Sequence, residues 1–163
     1  MKKLAVLNLV LVLSLLLGGV AMAQEPSGDF GVIQRTMDAA LDGWKPTISA
    51  DALYENLNDG DASNDPFIVS VRAPDAYEMG HIPGAINIPY KSIAKAESLA
   101  QLPTDQPIVV YCYTGHTGQL AATVLKSLGY DVQNLKFGMM GWTQNDEVLN
   151  QPRFGPDSGQ ADY

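Results

Sequence analysis

The chain is expected to fold as an α/β domain with a central parallel sheet flanked by helices. Three observations predict this. Phe67-Ile68-Val69-Ser70-Val71 and Ile108-Val109-Val110-Tyr111 are short, nearly continuous apolar runs, as strands buried on both faces require. Segments with helical spacing lie between such runs, and alternation of the two element types favours parallel pairing. Glycine, proline and asparagine clusters punctuate the alternation.

Taken in order, Val32, Ile33, Met37, Ala40 and Leu41 recur at near-helical spacing and predict one amphipathic helix within residues 24–45, ending near Gly43. This N-terminal extension either covers the domain or offers a face to a protein partner. Pro46-Thr47-Ile48 reads as a short edge strand, and Ser49 as the N-cap of a helix carrying Leu53, Tyr54 and Leu57. Residues 58–66 form a polar loop rich in Asp, Asn and Gly. Their spacing departs from a twelve-residue calcium loop and no glutamate closes it, so a solvated turn is expected.

After the strand at 67–71, residues 74–79 predict a short helix stopped by Gly80. Pro83 and Gly84 set a tight turn before a strand at 85–88, and residues 92–99 read as one helical segment. Beyond the strand at 108–111, Leu120, Ala121, Val124, Leu125 and Leu128 predict a helix reaching Gly129. A last strand at 132–135, a closing helix entered through residues 137–142 and a polar tail at 150–163 complete the chain.

The first 23 residues stand apart from this domain. Met1-Lys2-Lys3 is basic, residues 4–20 are almost wholly apolar, and Ala21-Met22-Ala23 is a small-x-small triplet. That is the pattern of a cleavable secretory signal, placing the mature start at Gln24 and the protein in the periplasm or outside the cell. Ser14, Gly18 and Gly19 weaken the alternative of a permanent anchor, so membrane contact is expected only before cleavage. Removing Lys2 and Lys3 leaves eight basic against eighteen acidic residues, a net charge of minus ten. Such a body is a poor match for nucleic acid.

Cys112 is the only cysteine, so no disulfide forms within the chain. In an oxidising compartment a lone thiol is either buried and inert or kept for its reactivity. Its setting favours reactivity, because it lies where an apolar strand ends and a helix begins, and chemistry gathers beyond the carboxyl ends of such strands. An ordinary thiol with a pKa of about 8.5 is mostly protonated at neutral pH. A partly exposed place at a helix N-terminus favours the thiolate. Backbone N–H groups of residues 113–118 are positioned to line the sulfur, Gly115 permits the curl, and Thr114 and Thr117 offer hydroxyl donors. Tyr113, His116 and Gly118 complete this candidate cradle.

Two stretches resemble the rhodanese family of sulfurtransferases. One is Val71-Arg72 followed by Tyr77-Glu78-Met79-Gly80-His81-Ile82-Pro83-Gly84-Ala85-Ile86-Asn87-Ile88-Pro89, similar to that family's entry motif. The other is the six-residue loop of residues 112–117, with Phe137-Gly138-Met139-Met140-Gly141-Trp142 similar to the family's closing glycine and tryptophan element. The resemblance implies a rhodanese-like three-layer fold over residues 46–149. It also implies a catalytic Cys112 that takes sulfane sulfur from thiosulfate or a persulfide and passes it to a thiol or cyanide-like acceptor, without cofactor or metal. Arg72, Glu78 and His81 are expected to be structural: an Arg72–Glu78 pair would position the turn, and His81 would bond the loop backbone.

Two departures qualify the resemblance. Ser70 stands where the family usually has aspartate, and the loop carries no arginine or lysine, leaving His116 as its only titratable cation. An exposed histidine is largely uncharged near neutral pH, so attraction for thiosulfate should be weak. The alternative function is therefore a sulfur-carrier or protein-binding module without turnover. Phosphatase or arsenate reductase chemistry is disfavoured because it needs an arginine six positions after the cysteine, where this chain has Gly118.

Overall fold

The computed structural model describes residues 28–149. The expected signal segment, its cleavage point and the polar tail lie outside the described residues. By its contacts the chain divides into a unit of residues 1–35 and a unit of residues 36–163. Helix α1 spans Gly28–Leu41 and leaves Phe30, Val32 and Ile33 exposed. Among the described residues no helix is long and apolar enough to cross a membrane.

The second unit holds a five-stranded, all-parallel sheet in the order β1-β5-β4-β2-β3. The strands are β1 (Thr47–Ile48), β2 (Phe67–Ser70), β3 (Ile86–Asn87), β4 (Ile108–Tyr111) and β5 (Val132–Leu135). β4 is central and buried along its whole length, which explains its unbroken apolar run. Ser70 and Tyr111 are register partners at the carboxyl ends of β2 and β4, so Arg72 and Cys112 emerge from neighbouring strands.

Helices cover both faces. Val69, Val71, Val110, Cys112, Ala121, Ala122 and Leu125 form one core layer, with α5 (His116–Ser127) packed on β4 and β5. Leu53, Ile68, Ile82, Val109, Tyr111, Leu135 and Met139 form the other, under α2 (Ala50–Leu57) and α6 (Gly138–Trp142). Ser49 caps α2 by accepting the Ala52 N–H at 3.2 Å. Shorter elements are α3 (Pro74–Glu78), α4 (Ala96–Leu99) and α7 (Asp146–Leu149).

One local expectation is corrected. The segment at 92–99 is not one helix: a 3-10 turn at Tyr90–Ser92 and α4 are separated because Lys95 is extended, with φ −72° and ψ 147°. On α5 the packed face is Gly118, Ala121, Ala122 and Leu125, while Leu120, Val124 and Leu128 face solvent. Small residues bring the helix axis close to the sheet, and the larger apolar residues of the same period are left outside.

The polar loop at 58–66 satisfies itself. Asp61 accepts from Ser63 N at 3.0 Å and Ser63 Oγ at 2.6 Å, and Asp59 accepts from Asp61 N and the Asn64 amide. The Ser63 hydroxyl, then its backbone N–H, hold the Asp61 carboxyl below the usual carboxylate range.

Candidate active site

The end of β4 delivers Cys112 into a tight loop. Gly115 adopts φ 92°, a left-handed conformation that a glycine accepts without steric cost, and turns the chain back so that its N–H donates to Cys112 Sγ at 3.1 Å. The sulfur is thereby covered: Cys112 is 2 % exposed, where the sequence predicted a partly exposed thiol. The Thr114 hydroxyl turns to His116 Nδ1 at 2.7 Å rather than to the sulfur. His116 and Thr117 belong to the first turn of α5, so the loop proper is shorter than six residues. Gly118 lies within that helix, where a Cβ would overlap the Asn134 side chain.

Asn134, which sequence reasoning missed, is 3 % exposed on β5. Its amide donates to Gly115 O at 3.1 Å and reaches Gln119 Oε1 at 3.4 Å. The signal was a polar residue inside the strand Val132-Gln133-Asn134-Leu135, on the side occupied by the loop.

The N-terminus of α6 grips the same loop. Met139 N donates to Cys112 O and Met140 N to Tyr113 O, both at 2.9 Å. A Cβ on Gly138, whose φ is 52°, would overlap the Cys112 carbonyl oxygen. The closing glycine therefore serves close backbone approach. Trp142 packs in the α2–α6 layer, its ring 6.2 Å from that of Tyr54.

Arg72, 3 % exposed, lies between Tyr111 and Tyr113, with its guanidinium carbon 5.4 and 5.2 Å from their ring centres. It donates to Ser70 Oγ at 3.3 Å and Gly80 O at 2.5 Å. The expected Arg72–Glu78 pair does not form, because Arg72 turns inward to the Gly80 carbonyl while Glu78 stays exposed on α3. Arg72 Nη1 and Tyr113 Oη are buried without a hydrogen-bond partner, as is Asn134 Oδ1. His81 stacks on Tyr77 at 3.9 Å, and its Nδ1 lies 3.0 Å from Tyr77 O.

Comparison with known proteins places this geometry. The Rhodanese-like domain family model matches residues 49–145, more than half of the chain. The chain belongs to the rhodanese family. This rhodanese domain is 31 % identical over 103 residues to the putative sulfur carrier protein YrkF of Bacillus subtilis, covering 63 % of this chain and 53 % of that protein. It is 33 % identical over 108 residues to the probable adenylyltransferase/sulfurtransferase MoeZ of Mycobacterium tuberculosis, covering 66 % of this chain and 27 % of that one. It thus spans about half, or less, of the length of these curated relatives. A rhodanese-like domain protein from Staphylococcus aureus superposes with a TM-score of 0.55 at 26 % identity, over 62 % of this chain and 94 % of that one.

Proposed function

We propose that the protein is an exported sulfurtransferase working through a Cys112 persulfide. The Cys112 thiolate attacks the outer sulfur of thiosulfate or of a donor persulfide. A new S–S bond forms, the old one breaks, and the departing sulfite or thiolate leaves with the electron pair. An acceptor then removes the outer sulfur and returns Cys112 to the thiolate. The observation that carries this reading is the Gly115 N–H donated to Sγ at 3.1 Å, a fixed donor beside the atom that holds negative charge at either end of the cycle. The rhodanese family and the sulfurtransferase among its relatives support it, and the pattern of residues 1–23 supports export.

Intact mass before and after incubation with thiosulfate tests the persulfide. The protein should gain one sulfur, and Cys112→Ser should gain none and lose transfer. Full transfer by Cys112→Ser would overturn the reading. Cell fractionation with N-terminal mass tests export, which retention of residues 1–23 in the cytoplasm would overturn.

A second reading is a sulfur carrier without turnover on small donors. It is favoured by the 2 % exposure of Cys112, by the absence of arginine or lysine in the loop, and by likeness to a putative sulfur carrier protein. Sulfur loading that proceeds only from a protein donor, and never from thiosulfate, would select it.

A further inference from the structure

On the side of the sheet opposite α5, helices α2 and α6 meet over a small cavity of about 220 Å³ lined by Ala50, Asp51, Tyr54, Gly141 and Trp142. Its lining follows from local rules. Ser49 starts α2 and Leu53 anchors it in the core, while Tyr54, three positions after Asp51 and four after Ala50, stands beside both on the helix surface. On α6, a Cβ at Gly141 would come 2.8 Å from Lys136 O and 3.9 Å from Ala50 Cβ. The bare glycine therefore leaves the space between the two helices open, and Trp142, the next residue, lines it.

The aromatic and charged groups of this cavity are uncommitted. Tyr54 is 59 % exposed, and its ring lies 6.2 Å from that of Trp142 at an interplanar angle of 56°, so the pair encloses an angle rather than stacking. Trp44, the other tryptophan, donates its indole N–H to Val132 O at 2.8 Å, whereas the Trp142 indole and the Tyr54 hydroxyl make no such bond among the described residues. The Asp51 carboxylate likewise has no ion pair or hydrogen bond among the described residues. It is the only carboxylate of the lining and no cationic side chain lies there with it, on a chain of net charge −8. The local field therefore favours a cation.

Which cation follows from the acceptors present. A primary ammonium carries three N–H donors and a guanidinium five, whereas the lining side chains offer one carboxylate and one phenolic oxygen. A quaternary ammonium has no N–H to satisfy, and its methyl groups pack on aromatic faces whose quadrupole attracts the charge. The space is smaller than the roughly 300 Å³ at which pockets for drug-sized ligands begin, so it suits a small headgroup. We propose that this cavity binds a quaternary ammonium group of the choline type, held by the Tyr54 and Trp142 rings and by the charge of Asp51. The site is separate from Cys112 and does not rest on the sulfurtransfer reading. Binding makes and breaks no covalent bond.

The test is a titration of the full chain followed by tryptophan emission, with sodium chloride as the control for ionic strength. Choline and tetramethylammonium should change the emission along a saturable curve. Trp44→Phe should keep that response and Trp142→Phe should lose it. Dimethylbutanol, the neutral carbon isostere of choline, should bind about tenfold or more weakly. Asp51→Asn should weaken choline several-fold without moving dimethylbutanol, Tyr54→Leu should weaken it further, and Tyr54→Phe, which keeps the ring, should bind as the wild type does. Both residues are exposed, so thermal unfolding of these variants should match the wild type and separate lost binding from lost folding. Phosphatidylcholine vesicles distinguish the two sources of the group: protein that pellets with them takes it from a lipid headgroup, and protein that answers only to free choline takes it from a soluble compound. A linear change matched by sodium chloride overturns the site, as does a response that survives in Trp142→Phe. Equal binding of choline and dimethylbutanol overturns the choice of a cation, and choline binding unchanged in both Asp51→Asn and Tyr54→Leu overturns the assignment to this cavity.

Discussion

The two flanks of the cysteine loop hold it by different physics. On the β5 flank the grip is by hydrogen bonds to the loop's own carbonyls: Met139 N to Cys112 O, Met140 N to Tyr113 O, and the Asn134 amide to Gly115 O. On the β2 flank, Arg72 presses a buried guanidinium between Tyr111 and Tyr113, and one of its nitrogens lacks a partner. The first flank satisfies backbone groups that burial would otherwise penalise. The second leaves a desolvated charge only partly compensated. Placement of the loop backbone therefore belongs to the β5 flank, although Asn134 Oδ1 is itself buried without a partner, and the β2 flank is where an unpaired charge can still be compensated.

The sharpest way to break this contrast is Gly138→Ala. Its Cβ would overlap the Cys112 carbonyl, backbone that cannot swing aside, at a residue whose φ of 52° disfavours any side chain. A loss of about 3–4 kcal/mol is expected in denaturant unfolding, and a loss below about 1 kcal/mol would show that the α6 grip is dispensable. Next comes Asn134→Ala, which removes the bond to Gly115 O and opens space beside Gly118. About 2 kcal/mol should be lost, with faster amide exchange at Gly115 and Gln119; unchanged exchange there would remove Asn134 from the support of the loop.

On the other flank, Ser70→Asp supplies the carboxylate that Arg72 Nε already faces at 3.3 Å. Thermal unfolding should show a gain of about 1 kcal/mol, the small surplus of a completed buried pair over its desolvation. A loss would mean that Arg72 is better served by the tyrosine rings alone. The smallest effect lies far from either flank, in the 58–66 loop. There the depressed carboxyl of Asp61 contributes stability above its unfolded-state pKa, and this is lost as pH falls through the folded value. Ser63→Ala should raise the Asp61 titration midpoint measured by NMR, flatten that acid limb and lower neutral-pH stability slightly, with little change at acid pH.

Much of the β4 region was legible before folding was considered. The run at 108–111, Cys112 after it, Gly115 in the turn and the helical period beyond are local features, and each governs its own backbone. The β2 flank was less legible. Arg72 and Glu78 sit six residues apart with opposite charges, yet the side chain follows the free Gly80 carbonyl because a buried guanidinium gains more there than at an exposed carboxylate. Asn134 was invisible for a related reason: a polar residue in a strand signals an exposed face until the loop it serves is known to lie across it.

By itself, the sequence determined that the chain alternates strands and helices and carries its lone thiol at the end of a buried strand, since hydrophobic periodicity and turn chemistry act over a few residues, and its motifs carried the resemblance to rhodanese-like domains. Only the tertiary structure decided that the thiol is covered, that Arg72 lacks a full set of partners, and that Asp51, Tyr54 and Trp142 meet around one cavity. The last two outcomes depend on segments twenty or more residues apart brought together by the parallel crossovers, and no local pattern encodes which side chains then face each other.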